Sequence, residues 1–390
     1  MSDPFQIGRR LQEQKDQHLY RQRRILETAQ SHRVRCNGQD LINFCSNDYL
    51  GLANHPRVIK AAQHAAQQFG VGSGASHLVV GHSALHEQLE ERLADWVQRP
   101  RALLFSTGYM ANVGVLSALL QRGDTVIQDK LNHASLLDGA TQSRATLLRY
   151  QHNSVDHLQQ RLASAKGRCL VATDAVFSMD GDVAPIEHIA QSCSRHNAWL
   201  MLDDAHGLGV LGQGRGVLQE YNLGLEQVPV YMATLGKALG TFGAFVAGDH
   251  DLIEFLIQFA RPYIYTTAIP PAIAAATLES LQLLQQESWR VEQLQSRIAY
   301  FRQRASQAGL SLMPSTTAIQ PLMVGASDRA LRMSELLRDQ GLLVGAIRPP
   351  TVPANTARLR VTLCAEHSEL QIERLVDALA QAQKDQKPWH

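Results

Sequence analysis

In Trp199-Leu200-Met201-Leu202-Asp203-Asp204-Ala205-His206-Gly207, four apolar residues run directly into two aspartates. A short apolar run that stops at charge reads as a buried strand. A second run, Val230-Tyr231-Met232-Ala233, leads into Thr234-Leu235-Gly236-Lys237-Ala238-Leu239-Gly240. Lys237 lies 34 positions (237 − 203) after Asp203. Each strand thus delivers one charged residue at its C-terminal end, the edge at which open α/β sheets bind ligands. A lone lysine there needs a chemical partner, because an unpaired buried ammonium is costly.

Outward from this pair the pattern alternates. Helical spacing is predicted at 57–69, 84–97, 109–121, 155–164 and 186–196. Short apolar runs lie at 102–105, 125–128, 146–150, 169–173, 199–202, 230–234 and 243–247. Strand and helix in turn predict an α/β fold, a mostly parallel sheet flanked by helices. Residues 8–30 read as an N-terminal helix and 41–44 as a short strand, and one long helical stretch covers 270–308. After it, strands at 318–324, 342–348 and 358–363 and helices at 328–340 and 368–383 no longer alternate strictly. They predict a smaller α+β C-terminal domain. The expected division is an N-terminal segment (1–50), a large domain (51–285) and a small domain (286–390).

The bulk numbers exclude several classes. The chain has 390 residues, with 37 Lys+Arg against 36 Asp+Glu, so no nucleic acid or membrane partner is expected. Five cysteines at wide spacing, with no C-x-x-C, argue for reduced thiols and against a disulfide framework or a metal site. Residues 1–30 carry no apolar signal core, so a cytoplasmic protein is expected.

Several stretches carry chemistry with a plain alternative beside it. Ser106-Thr107-Gly108-Tyr109 follows a strand and opens a helix, whose N–H groups suit a phosphate. Ser106 and Thr107 serve equally as N-caps, and alone the stretch reads as a cap. Gly70-x-Gly72-x-Gly74 follows a helix rather than a strand, so it is read as a loop and not a dinucleotide fingerprint. Gly81-His82-Ser83 lacks the second glycine of a nucleophile elbow. His133 is a helix-starting polar residue or a ring stacked on a planar cofactor. His206, three residues after Asp203, reads as functional, with a surface loop as the alternative. Arg358 and Arg360 share one strand face, either exposed or binding a carboxylate.

A carboxylate to keep a pyridine nitrogen protonated and an amine to form a Schiff base are what pyridoxal phosphate asks of its protein. The most specific stretches are Ser46-Asn47-Asp48-Tyr49-Leu50-Gly51, Phe177-Ser178-Met179-Asp180-Gly181-Asp182, Asp203-Asp204-Ala205-His206-Gly207, and Ile347-Arg348-Pro349-Pro350-Thr351-Val352-Pro353 leading to Arg358-Leu359-Arg360. In these the chain resembles the α-oxoamine synthases, fold-type-I pyridoxal-phosphate transferases, from about Arg21 to Arg360.

The resemblance implies roles. Lys237 bonds the cofactor, Asp203 meets the pyridine nitrogen, and His206 and Ser178 lie near the phenolic oxygen. His133 stacks on the ring, while Gly108, Tyr109 and Thr234 hold the phosphate. Thr266 and Thr267 resemble phosphate contacts given by a second subunit, which implies a homodimer with its active site at the subunit interface. Arg360 and Asn47 meet the amino-acid carboxylate, and Arg21 and Thr351 the acyl substrate. The resemblance in the 347–360 stretch implies L-alanine and a pimeloyl thioester, carried on acyl carrier protein or coenzyme A, as substrates. Glycine C-acetyltransferase, 5-aminolevulinate synthase and aminotransferase chemistry are the neighbouring alternatives. Asp174 stands where the family usually has glutamate, and Gly236 where many relatives have serine.

Overall fold

The computed structural model describes residues 4–384. The first three and last six residues of the expected division lie outside the described residues. The chain forms two compact units. One gathers residues 47–178 and 182–293, and the other the residues up to Ser46, Met179–Gly181 and the residues from Leu294 onward.

The first unit is built on a seven-stranded sheet. Its spatial order is Arg101–Phe105, Ala244–Gly248, Val230–Thr234, Trp199–Asp203, Cys169–Asp174, Thr125–Asp129, Thr146–Tyr150. Ala244–Gly248 runs antiparallel to both neighbours, and the remaining pairings are parallel. Strands of a parallel sheet are covered on both faces and so read as continuous apolar runs. Leu200, Met201 and Leu202 are fully buried, as are Val230 to Ala233. Each such side chain contributes about 1.5–3 kcal/mol on leaving water. The observed strands agree with the apolar runs of the sequence to within two residues.

Parallel strands send their C-terminal ends to one edge. Phe105, Asp129, Tyr150, Asp174, Asp203 and Thr234 all lie there. The segments that follow carry Gly108, His133, His152, Ser178, His206 and Lys237. Two glycines make these turns possible. A Cβ on Gly207 would lie 2.0 Å from Asp204 Oδ1. Gly240 adopts φ +65°, and a Cβ there would lie 2.3 Å from the Ala53 nitrogen.

The second unit holds two three-stranded sheets. In one, Gln39–Asn43 pairs antiparallel with Arg33–Cys36 and parallel with Leu342–Leu343. In the other, Ala357–Thr362 lies between Ile319–Gly325 and Gly345–Ile347, antiparallel to both. Helices Ser327–Asp339 and Glu369–Lys384 belong to this unit. Leu294, Ile298, Phe301 and Ala305 are its buried stripe from the helix Trp289–Gln307, at the spacing of one helix face.

Two helices differ from the sequence reading. The N-terminal helix covers only Ile7–Asp16 and buries no residue. Leu11 and Ile25 stay exposed, and His18 has φ 56°, so nothing packs to extend the helix. The stretch 270–308 is two helices, Pro271–Gln286 and Trp289–Gln307. Glu287 leaves the helix at φ −117°, ψ 56°, and the Ser288 carbonyl accepts the Val291 and Glu292 N–H bonds that begin the next. Serine competes with the helical backbone for hydrogen bonds and favours such starts. Arg358 and Arg360 are not on an exposed face: their whole strand is buried.

Candidate active site

Lys237 follows the strand Val230–Thr234 through Leu235 and Gly236 and is half-buried. Its Nζ lies 3.0 Å from His206 Nε2. His206 is buried, and its Nδ1 lies 2.6 Å from the Tyr49 hydroxyl. Tyr49 is buried as well and donates to Asn47 Oδ1 at 3.3 Å. Lysine, histidine, tyrosine and asparagine thus form one hydrogen-bonded line.

Asp203 ends its strand 4% exposed. Its Oδ1 accepts the Ala205 N–H at 3.0 Å and its Oδ2 the Asn112 amide at 2.7 Å. Both donors are neutral. Asp174 sits in register beside Asp203 on the adjacent strand. Burial, and then the charge of Asp203, push the Asp174 carboxyl well above the usual carboxylate range. Asp174 Oδ2 accepts the His133 backbone N–H at 2.7 Å. The shorter side chain at this position therefore makes a firm contact.

His133 is exposed and caps the helix Ala134–Ser143, with Nδ1 accepting the Ser135 N–H. The helix Gly108–Leu119 is capped by Thr107, whose hydroxyl oxygen accepts the Met110 N–H at 3.1 Å. The backbone N–H groups of Gly108 and Tyr109 find no acceptor among the described residues. The Tyr109 hydroxyl contacts Asp138. Thr234 donates its hydroxyl to the Gly243 carbonyl at 3.0 Å and accepts the Gly236 N–H. That hydroxyl is already engaged, which was invisible in the sequence. Ser178 lies partly buried in the hairpin closed by the Val176–Val183 bridge. Thr267 is exposed, and Thr266 partly so.

The other unit holds the remaining expected residues. Arg21 Nη2 donates to Thr351 Oγ1 at 3.4 Å, so the two expected acyl contacts meet each other. Arg358 is ion-paired with Asp180, and Arg360 donates to Thr362 Oγ1 at 3.0 Å. Arg358 is thereby tied to Asp180, and Arg360 is a second buried guanidinium on the same strand.

The first unit fits pyridoxal phosphate. Two helix-start N–H groups without acceptors suit its phosphate. A buried carboxylate held by neutral donors suits a protonated pyridine nitrogen, since buried charge is costly until matched. The amine at Lys237 suits its aldehyde. Tyr49, Asn112 and Ser135 carry further contacts in this site. Tyr49 lies in the specific stretch 46–51, outside any helix, whereas Asn112 and Ser135 give a slight sequence signal, because polar residues in a helix read as surface.

The family model described as aminotransferase class I and II matches residues 39–379. The 8-amino-7-oxononanoate synthase of Ectopseudomonas mendocina is 60% identical over 97% of this chain and 97% of its own length. That of Stutzerimonas stutzeri is 57% identical over 97% of this chain and 96% of its own. Among solved structures, a serine palmitoyltransferase from S. paucimobilis with bound PLP–myriocin matches at TM-score 0.92 and 32% identity, covering 98% of this chain and 99% of that one. The 8-amino-7-oxononanoate synthase of Francisella tularensis matches at TM-score 0.78 and 30% identity, covering 88% of this chain and 98% of that one. The chain belongs to the aminotransferase class I and II family, in the group formed by the 8-amino-7-oxononanoate synthases.

Proposed function

We propose that the chain joins L-alanine to a pimeloyl thioester, giving 8-amino-7-oxononanoate, carbon dioxide and the free thiol of the carrier. The observation that carries this reading is the Lys237 amine, 3.0 Å from His206 and one strand away from the buried carboxylate of Asp203.

Bound pyridoxal phosphate supplies an electron sink for the pair left behind when alanine loses its α-proton. The residues do the rest. Lys237 would hold the cofactor through its amine, and that amine, once free, would take the alanine α-proton, being already in reach. His206, fixed by Tyr49, orients that amine. Asp203 keeps a proton on the pyridine nitrogen. Gly108 and Tyr109 hold the phosphate through their N–H groups. Arg360 receives the alanine carboxylate, and Arg21 with Thr351 the far end of the acyl chain. Thr266 and Thr267 reach the phosphate of a second copy, so the working form is a homodimer.

Thiol release decides the substrates. Alanine, glycine and serine are each tested against acetyl, succinyl, pimeloyl and palmitoyl thioesters, on coenzyme A and on acyl carrier protein. Alanine with the pimeloyl donor is expected to be fastest by at least tenfold. A faster reaction of glycine with acetyl or succinyl donors, or of serine with palmitoyl, overturns the assignment.

A further inference from the structure

Asn112 lies one helical turn beyond Gly108 on the same helix and is 1% exposed. Its side-chain nitrogen has two hydrogens and two acceptors: Asp203 Oδ2 at 2.7 Å and Ser135 Oγ at 2.8 Å. Ser135, fully buried, spends its oxygen on accepting from Asn112. Its own hydroxyl hydrogen is then available to His133 Nδ1, 2.8 Å away. The Ser135 backbone N–H approaches the same Nδ1 at 3.3 Å. Two donors aimed at one ring nitrogen require that nitrogen to be an acceptor. The proton of a neutral His133 ring therefore sits on Nε2.

The opposite face of the amide makes the case stronger. Asn112 Oδ1 is buried and receives no hydrogen bond among the described residues. Leaving a buried acceptor unmet costs about 1–3 kcal/mol. A residue placed there for packing alone would be better as leucine, which has a similar size and no such cost. What leucine lacks is the pair of donors.

We propose that Asn112 is a positioning residue for the cofactor: one amide hydrogen fixes the Asp203 carboxylate, and the other, through Ser135, fixes His133 with its proton on Nε2. One helix then offers N–H groups to the phosphate at its start and, a turn later, sets both the carboxylate for the pyridine nitrogen and the ring that stacks. This rests on the pyridoxal-phosphate reading of the site, but the His133 tautomer is a property of the protein without cofactor.

The test has two readouts. Nitrogen-15 NMR of histidine-labelled apo-protein, assigned by a His133→Gln variant, reports the tautomer directly. The expected result is an acceptor-type Nδ1 and a protonated Nε2. A wild-type ring protonated on Nδ1 overturns the proposal, whatever the cofactor does. The second readout is the dissociation constant for pyridoxal phosphate added to apo-protein. Asn112→Leu is expected to weaken it at least tenfold and to turn the His133 signal into a mixture of tautomers. Unchanged affinity together with an unchanged His133 signal overturns the proposal. Should Asn112→Leu fail to fold, Ser135→Ala cuts only the His133 arm. Its His133 spectrum is expected to change, and a spectrum identical to wild type overturns the relay. Failure of wild-type protein to bind pyridoxal phosphate at all would instead refute the reading of the site.

Discussion

Lys237 and His206 meet at 3.0 Å through Nζ and Nε2, and the other nitrogen of His206 is held at 2.6 Å by Tyr49. The lysine proposed to bond the cofactor is therefore steered by a histidine that is itself fixed from behind. Tyr49 lies 157 positions before His206 in sequence, and only the fold brings them together.

Tyr49→Phe removes that support while keeping the ring. One buried hydrogen bond is worth about 1 kcal/mol. The expected outcome is a fall in kcat of about fivefold. A wild-type kcat in steady-state thiol release would show that His206 needs no such support.

Asp203→Asn keeps the size and removes the charge proposed to face the pyridine nitrogen. Losing several kcal/mol of stabilisation slows removal of the alanine α-proton by roughly a thousandfold. Exchange of the alanine α-hydrogen with deuterium, followed by NMR without the thioester, checks this. Exchange within a few-fold of wild type would contradict it.

His152 predicts a pH dependence. Its Nδ1 lies 3.0 Å from Asp129 Oδ1 and its Nε2 2.8 Å from Asp182 Oδ2. Burial opposes its charge, yet hydrogen bonds to the two carboxylates outweigh burial and hold the imidazolium up to about 9. Folded protein thus binds this proton more tightly than the unfolded chain, whose ordinary value is 6.5. The contribution is complete below about pH 6.5 and is lost as pH rises through about 9. After allowance for solvent screening, it amounts to about 1–2 kcal/mol. Urea unfolding from pH 6 to pH 10 should show a decline in wild type that His152→Gln lacks. Equal declines in both proteins would remove His152 as the cause. Because Asp182 closes the hairpin that carries Ser178, the same variant should also loosen that segment to hydrogen exchange.

The strands and the charged residues at their ends were legible because a strand buried on both faces must be apolar until it reaches the edge. Lys237, Asp203 and His206 stand out for that reason. Helix limits were less legible. Leu11 and Ile25 have helical spacing but stay exposed among the described residues, and the break at Glu287-Ser288 interrupts an otherwise continuous pattern. Arg358 and Arg360 look alike on their strand, yet an aspartate 178 positions away (358 − 180) takes one of them. Asn112 and Ser135 were illegible altogether. A polar residue inside a helix signals solvent unless its partners, brought by distant strands, are known.

The claim that most depends on geometry is that Lys237 carries the cofactor. Borohydride reduction of the holoprotein, followed by peptide mass spectrometry, tests it directly. The account predicts a pyridoxyl-phosphate mass on the peptide containing Lys237 and none after Lys237→Ala. The label on another lysine of the wild-type protein, or covalent labelling that persists in Lys237→Ala, would contradict it.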